Sequence, residues 1–131
     1  MMNLFQADVW FKLHSGKLSQ FKIECDSLTD ADWDSLALVI ARQIQYSEVV
    51  GVPTGGLKLE KALRKYKSEG SSHSTLIVDD VLTTGKSMVE LRDKILKHTM
   101  AKKVIGVVVF SRGKCPKWIT PIFQMDRRMA E

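Results

Sequence analysis

Leu76-Ile77-Val78-Asp79-Asp80-Val81-Leu82-Thr83-Thr84-Gly85-Lys86-Ser87 is the stretch on which the reading of this chain turns. Leu76-Ile77-Val78 is short, continuous and largely β-branched, as strands buried on both faces of a parallel sheet tend to be. Two adjacent carboxylates at the end of such a strand are costly to desolvate and need partners there. The vicinal hydroxyls of a sugar are suitable partners, because each carboxylate accepts from a hydroxyl. The Thr-Thr-Gly-Lys-Ser turn that follows offers three hydroxyls and a run of backbone N–H groups where a helix begins. Those are the ingredients of a phosphate cradle. One aspartate would serve as a helix cap beside a plain turn; two, followed by a complete cradle, point to a ribose 5-phosphate site.

Working outward, Val49-Val50-Gly51-Val52 and Val104 to Phe110 have the same buried-strand character. A helix with Leu59, Ala62, Leu63 and Tyr66 on one face separates the first strand from the second. Another, with Met88, Leu91 and Ile95 inward, separates the second from the third. Strand, helix, strand, helix, strand is the grammar of a parallel α/β sheet with right-handed crossovers. Ile119 to Phe123 is expected to add a last strand. Upstream, Trp33, Leu36, Ala37, Ile40, Ala41 and Ile44 mark an amphipathic helix over about Asp30–Tyr46, with Thr29 and Asp32 as a capping box. Val9–Leu13 and Phe21–Cys25 alternate apolar and polar residues, and the His14-Ser15-Gly16-Lys17 turn between them predicts an antiparallel hairpin. The expected fold is a single α/β domain over residues 1–131, a mainly parallel sheet flanked by helices with an N-terminal β-hairpin.

The 131 residues fit one domain that buries enough surface to fold unaided. Lys plus Arg number 20 against 15 Asp plus Glu, a net charge of +5, and 44% apolar content argues against disorder. The longest apolar run, Val104 to Phe110, is too short to span a membrane. The amino terminus has no secretory pattern, so a cytoplasmic location is expected. Cys25 and Cys115 lack partners at metal-ligand spacing, which makes a zinc site or disulfide framework improbable.

Leu76 to Ser87 closely resembles the motif by which type I phosphoribosyltransferases bind 5-phosphoribosyl 1-pyrophosphate (PRPP). The resemblance implies that Asp79 and Asp80 are the catalytic acidic pair on the ribose 2- and 3-hydroxyls, and that Thr83, Thr84, Gly85, Lys86 and Ser87 bind the 5-phosphate. The stretch is not a Walker A loop, because Asp80 stands where the first glycine would be. Gly51-Val52-Pro53-Thr54-Gly55-Gly56 is similar to the family's pyrophosphate loop, which assigns Thr54, Gly55 and Gly56 to pyrophosphate; taken alone it also reads as a tight strand-to-helix turn. Leu13 to Phe21 is similar to a signature in the hood of orotate phosphoribosyltransferases, with His14 in the place of a basic residue that approaches the base. Ser111-Arg112 matches an Asp-Arg pair of that subfamily, with Ser in the Asp position and Arg112 suited to grip a carboxylate on the base.

The resemblance implies transfer of 5-phosphoribose from PRPP to a nitrogen of a nucleobase, an orotate-like pyrimidine being favoured, with pyrophosphate leaving. Mg²⁺ would arrive with PRPP, with no direct protein ligand, and a homodimer is implied. Family members usually place a strand, a mobile catalytic loop and a returning strand before the acid-pair strand. Here only Lys67 to Ser74 lies in that interval. Arg64, Lys65, Lys67 and His73 are either a stand-in for that loop or an ordinary solvated helix end, the latter being favoured. Two other classes stay open: a PRPP-binding module that does not catalyse, and a nucleic-acid-binding protein using Lys102-Lys103 and Arg127-Arg128. The second lacks any recognition signature.

Overall fold

The computed structural model describes residues 5–12, 18–23, 25–69 and 73–125. Strands β1 (Phe5–Lys12) and β2 (Leu18–Ile23) form the expected antiparallel hairpin, with Phe5 opposite Ile23 and Lys12 opposite Leu18. The first strand begins at Phe5 rather than Val9. The predicted turn, with His14, lies outside the described residues.

Helix α1 (Asp30–Gln43) starts at the predicted capping box. Thr29 N–H donates to Asp32 Oδ2 at 2.8 Å, and Asp32 N–H donates to Thr29 Oγ1 at 3.2 Å. The helix stops short of Tyr46, whose side chain leaves the helical path for the core and donates its hydroxyl to the Leu63 carbonyl at 2.5 Å. Burial, with Tyr66 nearby, pushes the Tyr46 hydroxyl up to about 12, so it remains a donor.

A second sheet carries the core. Strands β3 (Glu48–Gly51), β4 (Ser74–Leu82), β5 (Lys103–Ser111) and β6 (Ile119–Gln124) lie in that order and are all parallel. Helix α2 (Leu57–Leu63) connects β3 to β4, and helix α3 (Lys86–His98) connects β4 to β5. Alternate residues of each strand feed two cores. Leu76, Val78, Val107 and Val109 pack with Trp33, Ala37 and Ile40 of α1 and Leu59 and Leu63 of α2. Ile77, Val104 and Val108 pack on the other face with Met88 and Ile95 of α3. Each such fully buried aliphatic side chain is worth roughly 1.5–3 kcal/mol.

This arrangement corrects one expectation. Both crossovers step in the same lateral direction, β3 to β4 to β5, yet α2 and α3 cover opposite faces. Two such connections have opposite hands, so one of them is left-handed, against the strong general preference. The last strand is also unusual. β6 pairs in parallel with β5 through a connection of residues 112–118 only, where parallel neighbours normally need a dozen residues or more. Trp118 closes that connection onto the α3 face, where the Arg92 guanidinium lies over its ring at 4.9 Å.

Candidate functional site

The candidate site opens where β3 ends before β4 does. Gly51 is the last β3 residue paired with β4, opposite Val78, whereas β4 continues to Leu82 beside β5. Asp79 and Asp80 therefore sit inside a strand rather than beyond it. They are half-buried because their neighbour on one side has turned away as the 52–56 loop.

Strand alternation divides the pair. Asp79 follows Ile77 onto the α3 face and lines a concavity with Thr83, Thr84, Gly85, Lys86 and Ser87. Asp80 follows Val78 onto the α2 face and meets the glycine loop: a Cβ built on Gly55 would lie 2.5 Å from Asp80 Cγ. The sequence treats the two aspartates as one unit; the structure sets each against a different loop. Each carboxylate also turns back on the next backbone amide. Asp80 N–H donates to Asp79 Oδ1 at 2.8 Å, and Val81 N–H donates to Asp80 Oδ1 at 2.7 Å. Burial first, then the neighbouring Asp80 carboxyl, pushes Asp79 up to about 8, above the usual carboxylate range.

The turn from Thr83 to Ser87 leads into α3 and lines the concavity. Gly85 adopts φ +79°, a left-handed conformation that glycine enters without strain, and it caps α3 without a side-chain hydrogen bond. The first N–H groups of α3 lie beside the concavity at the positive end of the helix dipole, that of Lys86 donating to Thr84 Oγ1 at 3.4 Å. Thr83, Thr84, Lys86 and Ser87 are exposed around it. In the other loop, Thr54 is exposed, Gly55 half-buried and Gly56 buried, and the Pro53–Thr54 peptide is cis.

Arg112 lies at the same end of the sheet, its backbone N–H donating to Leu82 O at 3.1 Å. Its side chain is buried, and that burial lowers its pKa from the usual guanidinium range. Ser111 is fully buried, donates to Gly113 O at 2.6 Å and accepts from Cys115 Sγ at 3.3 Å. Its hydroxyl is committed to the loop. Gln124, which sequence reading passes over, fastens the same loop by donating to Gly113 O at 2.9 Å. His14 lies outside the described residues.

The basic residues between α2 and β4 are held in ion pairs or stand far from the acid pair. Arg64 pairs with Glu60 at 2.7 Å, Lys65 with Asp34 at 3.6 Å and Lys67 with Glu48 at 3.3 Å. His73 precedes the first residue of β4, so it stands at the opposite end of the strand from Asp80, roughly 20 Å away at the rise of a strand. Among the described residues no group of three His, Cys, Asp or Glu side chains is placed to hold a metal ion.

No protein-family model matches the chain. An orotate phosphoribosyltransferase of Pyrobaculum aerophilum is 29% identical over 134 residues, covering 80% of this chain and 68% of the relative. Among solved structures, the orotate phosphoribosyltransferase of Aeropyrum pernix superposes with a TM-score of 0.71 at 21% identity, covering 92% of this chain and 88% of that one. That of Mycobacterium tuberculosis H37Rv in complex with inorganic phosphate gives 0.67 at 17% identity, covering 92% and 89%. With the acid-pair strand, the Thr83–Ser87 turn and the glycine loop assembled at one end of a parallel sheet, this chain has the fold of these enzymes and is similar to the orotate phosphoribosyltransferases.

Proposed function

We propose that this chain transfers the 5-phosphoribosyl group of PRPP to a ring nitrogen of an orotate-like pyrimidine, releasing pyrophosphate. The observation that carries this reading is the placement of Asp79 and Asp80 on opposite faces of one strand end, each against a different anion-binding loop. A ligand with phosphate at both ends of a ribose has matching chemistry.

In this reading Thr83 to Ser87 grip the 5-phosphate through backbone N–H groups and hydroxyls, Thr54 to Gly56 receive the pyrophosphate, and the two carboxylates accept from the ribose hydroxyls. Charge develops on the departing pyrophosphate as the bond to the ribose lengthens, so N–H groups fixed around it stabilise the transition state without reorganising. Mg²⁺, brought with PRPP, would neutralise part of that charge. Asp79 must give up its proton to accept fully from a hydroxyl or an ion-bound water, which couples ligand binding to proton release. Arg112 is the group for a carboxylate on the base, and His14 in the hood turn is the second base-side residue. The protein in this reading is a cytoplasmic homodimer in which one copy helps cover the other's crevice.

One observation favours a second reading, a PRPP-binding module without catalysis. Lys65 and Lys67 are held in ion pairs with Asp34 and Glu48, and His73 stands at the far end of β4. Titration calorimetry of Asp79→Asn/Asp80→Asn against PRPP and Mg²⁺ tests the shared part of both readings. The double variant is expected to stay folded and lose PRPP binding; unchanged affinity would remove the site assignment.

A further inference from the structure

Strand β3 is an edge of the sheet, and its backbone alternates between β4 and open space. Val52 N–H donates to Val78 O at 2.9 Å, toward β4, so the Gly51 N–H points the other way, off the edge. It does not go unpaired. Glu60, on the next helix, accepts it on Oε1 at 2.9 Å. The same residue's backbone N–H donates to the Gly56 carbonyl at 3.0 Å. Gly51 and Gly56 bracket the pyrophosphate loop, so Glu60 holds both its ends. The ends are also in contact: a Cβ on Gly51 would lie 2.7 Å from the Gly56 carbonyl carbon and 3.0 Å from Glu60 Cβ. The second carboxylate oxygen is occupied by Arg64 at 2.7 Å, and the Glu60 side chain is only 16% exposed.

We infer that Glu60 is a positioning residue, the clasp that fixes the 51–56 loop in its anion-receiving shape; the part of this inference that concerns PRPP rests on the proposed function. A carboxylate is suited to the task because a charge-assisted bond to a backbone N–H is stronger than a neutral one. Placing it beside an anion-binding loop is tolerable because Arg64 balances its charge. The essential property is an acceptor at Oε1, not the negative charge.

Glu60→Ala and Glu60→Gln separate the two. Hydrogen exchange at the Gly51 amide, followed by NMR, reads the clasp itself, and titration of PRPP with Mg²⁺ reads its consequence. Glu60→Ala is expected to speed Gly51 exchange and to weaken PRPP binding by about tenfold each, the loss of one well-made hydrogen bond. In turnover the deficit should appear in the KM for PRPP rather than in kcat. Glu60→Gln keeps the acceptor and should restore both readouts to within about threefold of the unaltered protein. Unchanged Gly51 exchange in Glu60→Ala would overturn the inference, as would a Glu60→Gln variant as impaired as the alanine. Should the unaltered protein itself fail to bind PRPP, the proposed function falls, and the Gly51 exchange rates still decide whether Glu60 is the clasp.

Discussion

Replacing Gly55 with alanine tests the crevice where the two loops meet. The added methyl would lie 2.5 Å from Asp80 Cγ, whereas ordinary contact begins at 3.4 Å, so carboxylate and loop must separate by about 0.9 Å. Asp80 has little room to yield, because its Oδ1 is fixed by the Val81 N–H at 2.7 Å. A displacement of about 1 Å between groups that must act on one ligand costs on the order of 10²-fold in rate or affinity. Stability should change little, because Gly55 is only half-buried and its strain is relieved by local movement. Gly113→Ala is the matched control, since a Cβ there meets nothing within 4 Å. Calorimetric titration with PRPP and Mg²⁺, alongside thermal melts, should show Gly55→Ala folded and binding about 10²-fold more weakly, with Gly113→Ala unchanged. Wild-type affinity in Gly55→Ala would refute the claim that the glycine loop and Asp80 bind the same molecule.

Asp79 has a folded-state pKa of about 8 against 3.8 unfolded, so the folded protein holds its proton more tightly. The stability this contributes is intact below the unfolded value and falls as pH rises toward about 8. Asp79→Asn should therefore raise the melting temperature at pH 8 and leave it nearly unchanged at pH 4, as melts at both pH values would show. Binding of PRPP by the unaltered protein should strengthen as pH rises toward 8 and release protons, measured as a dependence of the calorimetric heat on buffer ionisation. Tyr46→Phe leaves the Leu63 carbonyl without its partner and should cost about 1–3 kcal/mol in denaturant unfolding, with PRPP affinity retained. Gly85→Ala forces a side chain into φ +79° and should cost about 1–2 kcal/mol while also weakening 5-phosphate binding, read with ribose 5-phosphate as the probe.

Local patterns carried much of the architecture. Continuous β-branched runs marked the parallel strands, the spacing from Trp33 to Ile44 marked α1, and Thr29 and Asp32 made the cap that their spacing implied. Leu76 to Ser87 disclosed the strand and the turn into α3 because both signals are contiguous there. What escaped depends on contacts between separated segments. Nothing local to Gly55 says that Asp80 will rest on it, and nothing in Glu60 distinguishes it from a solvated helix residue until the free edge of β3 is known. The opposite faces of α2 and α3, and with them the left-handed crossover, likewise follow from packing. The basic cluster from Arg64 to His73 looked available in sequence because its ion-pair partners, Asp34 and Glu48, come from distant elements.

Pyrophosphate release from PRPP in the presence of Mg²⁺, assayed with orotate, uracil and the purine bases in turn, addresses the proposed activity most directly. Release that depends on orotate, in equal amount with a phosphoribosylated product, is the predicted result. PRPP that binds but yields no pyrophosphate with any base would contradict it and leave a binding module in its place.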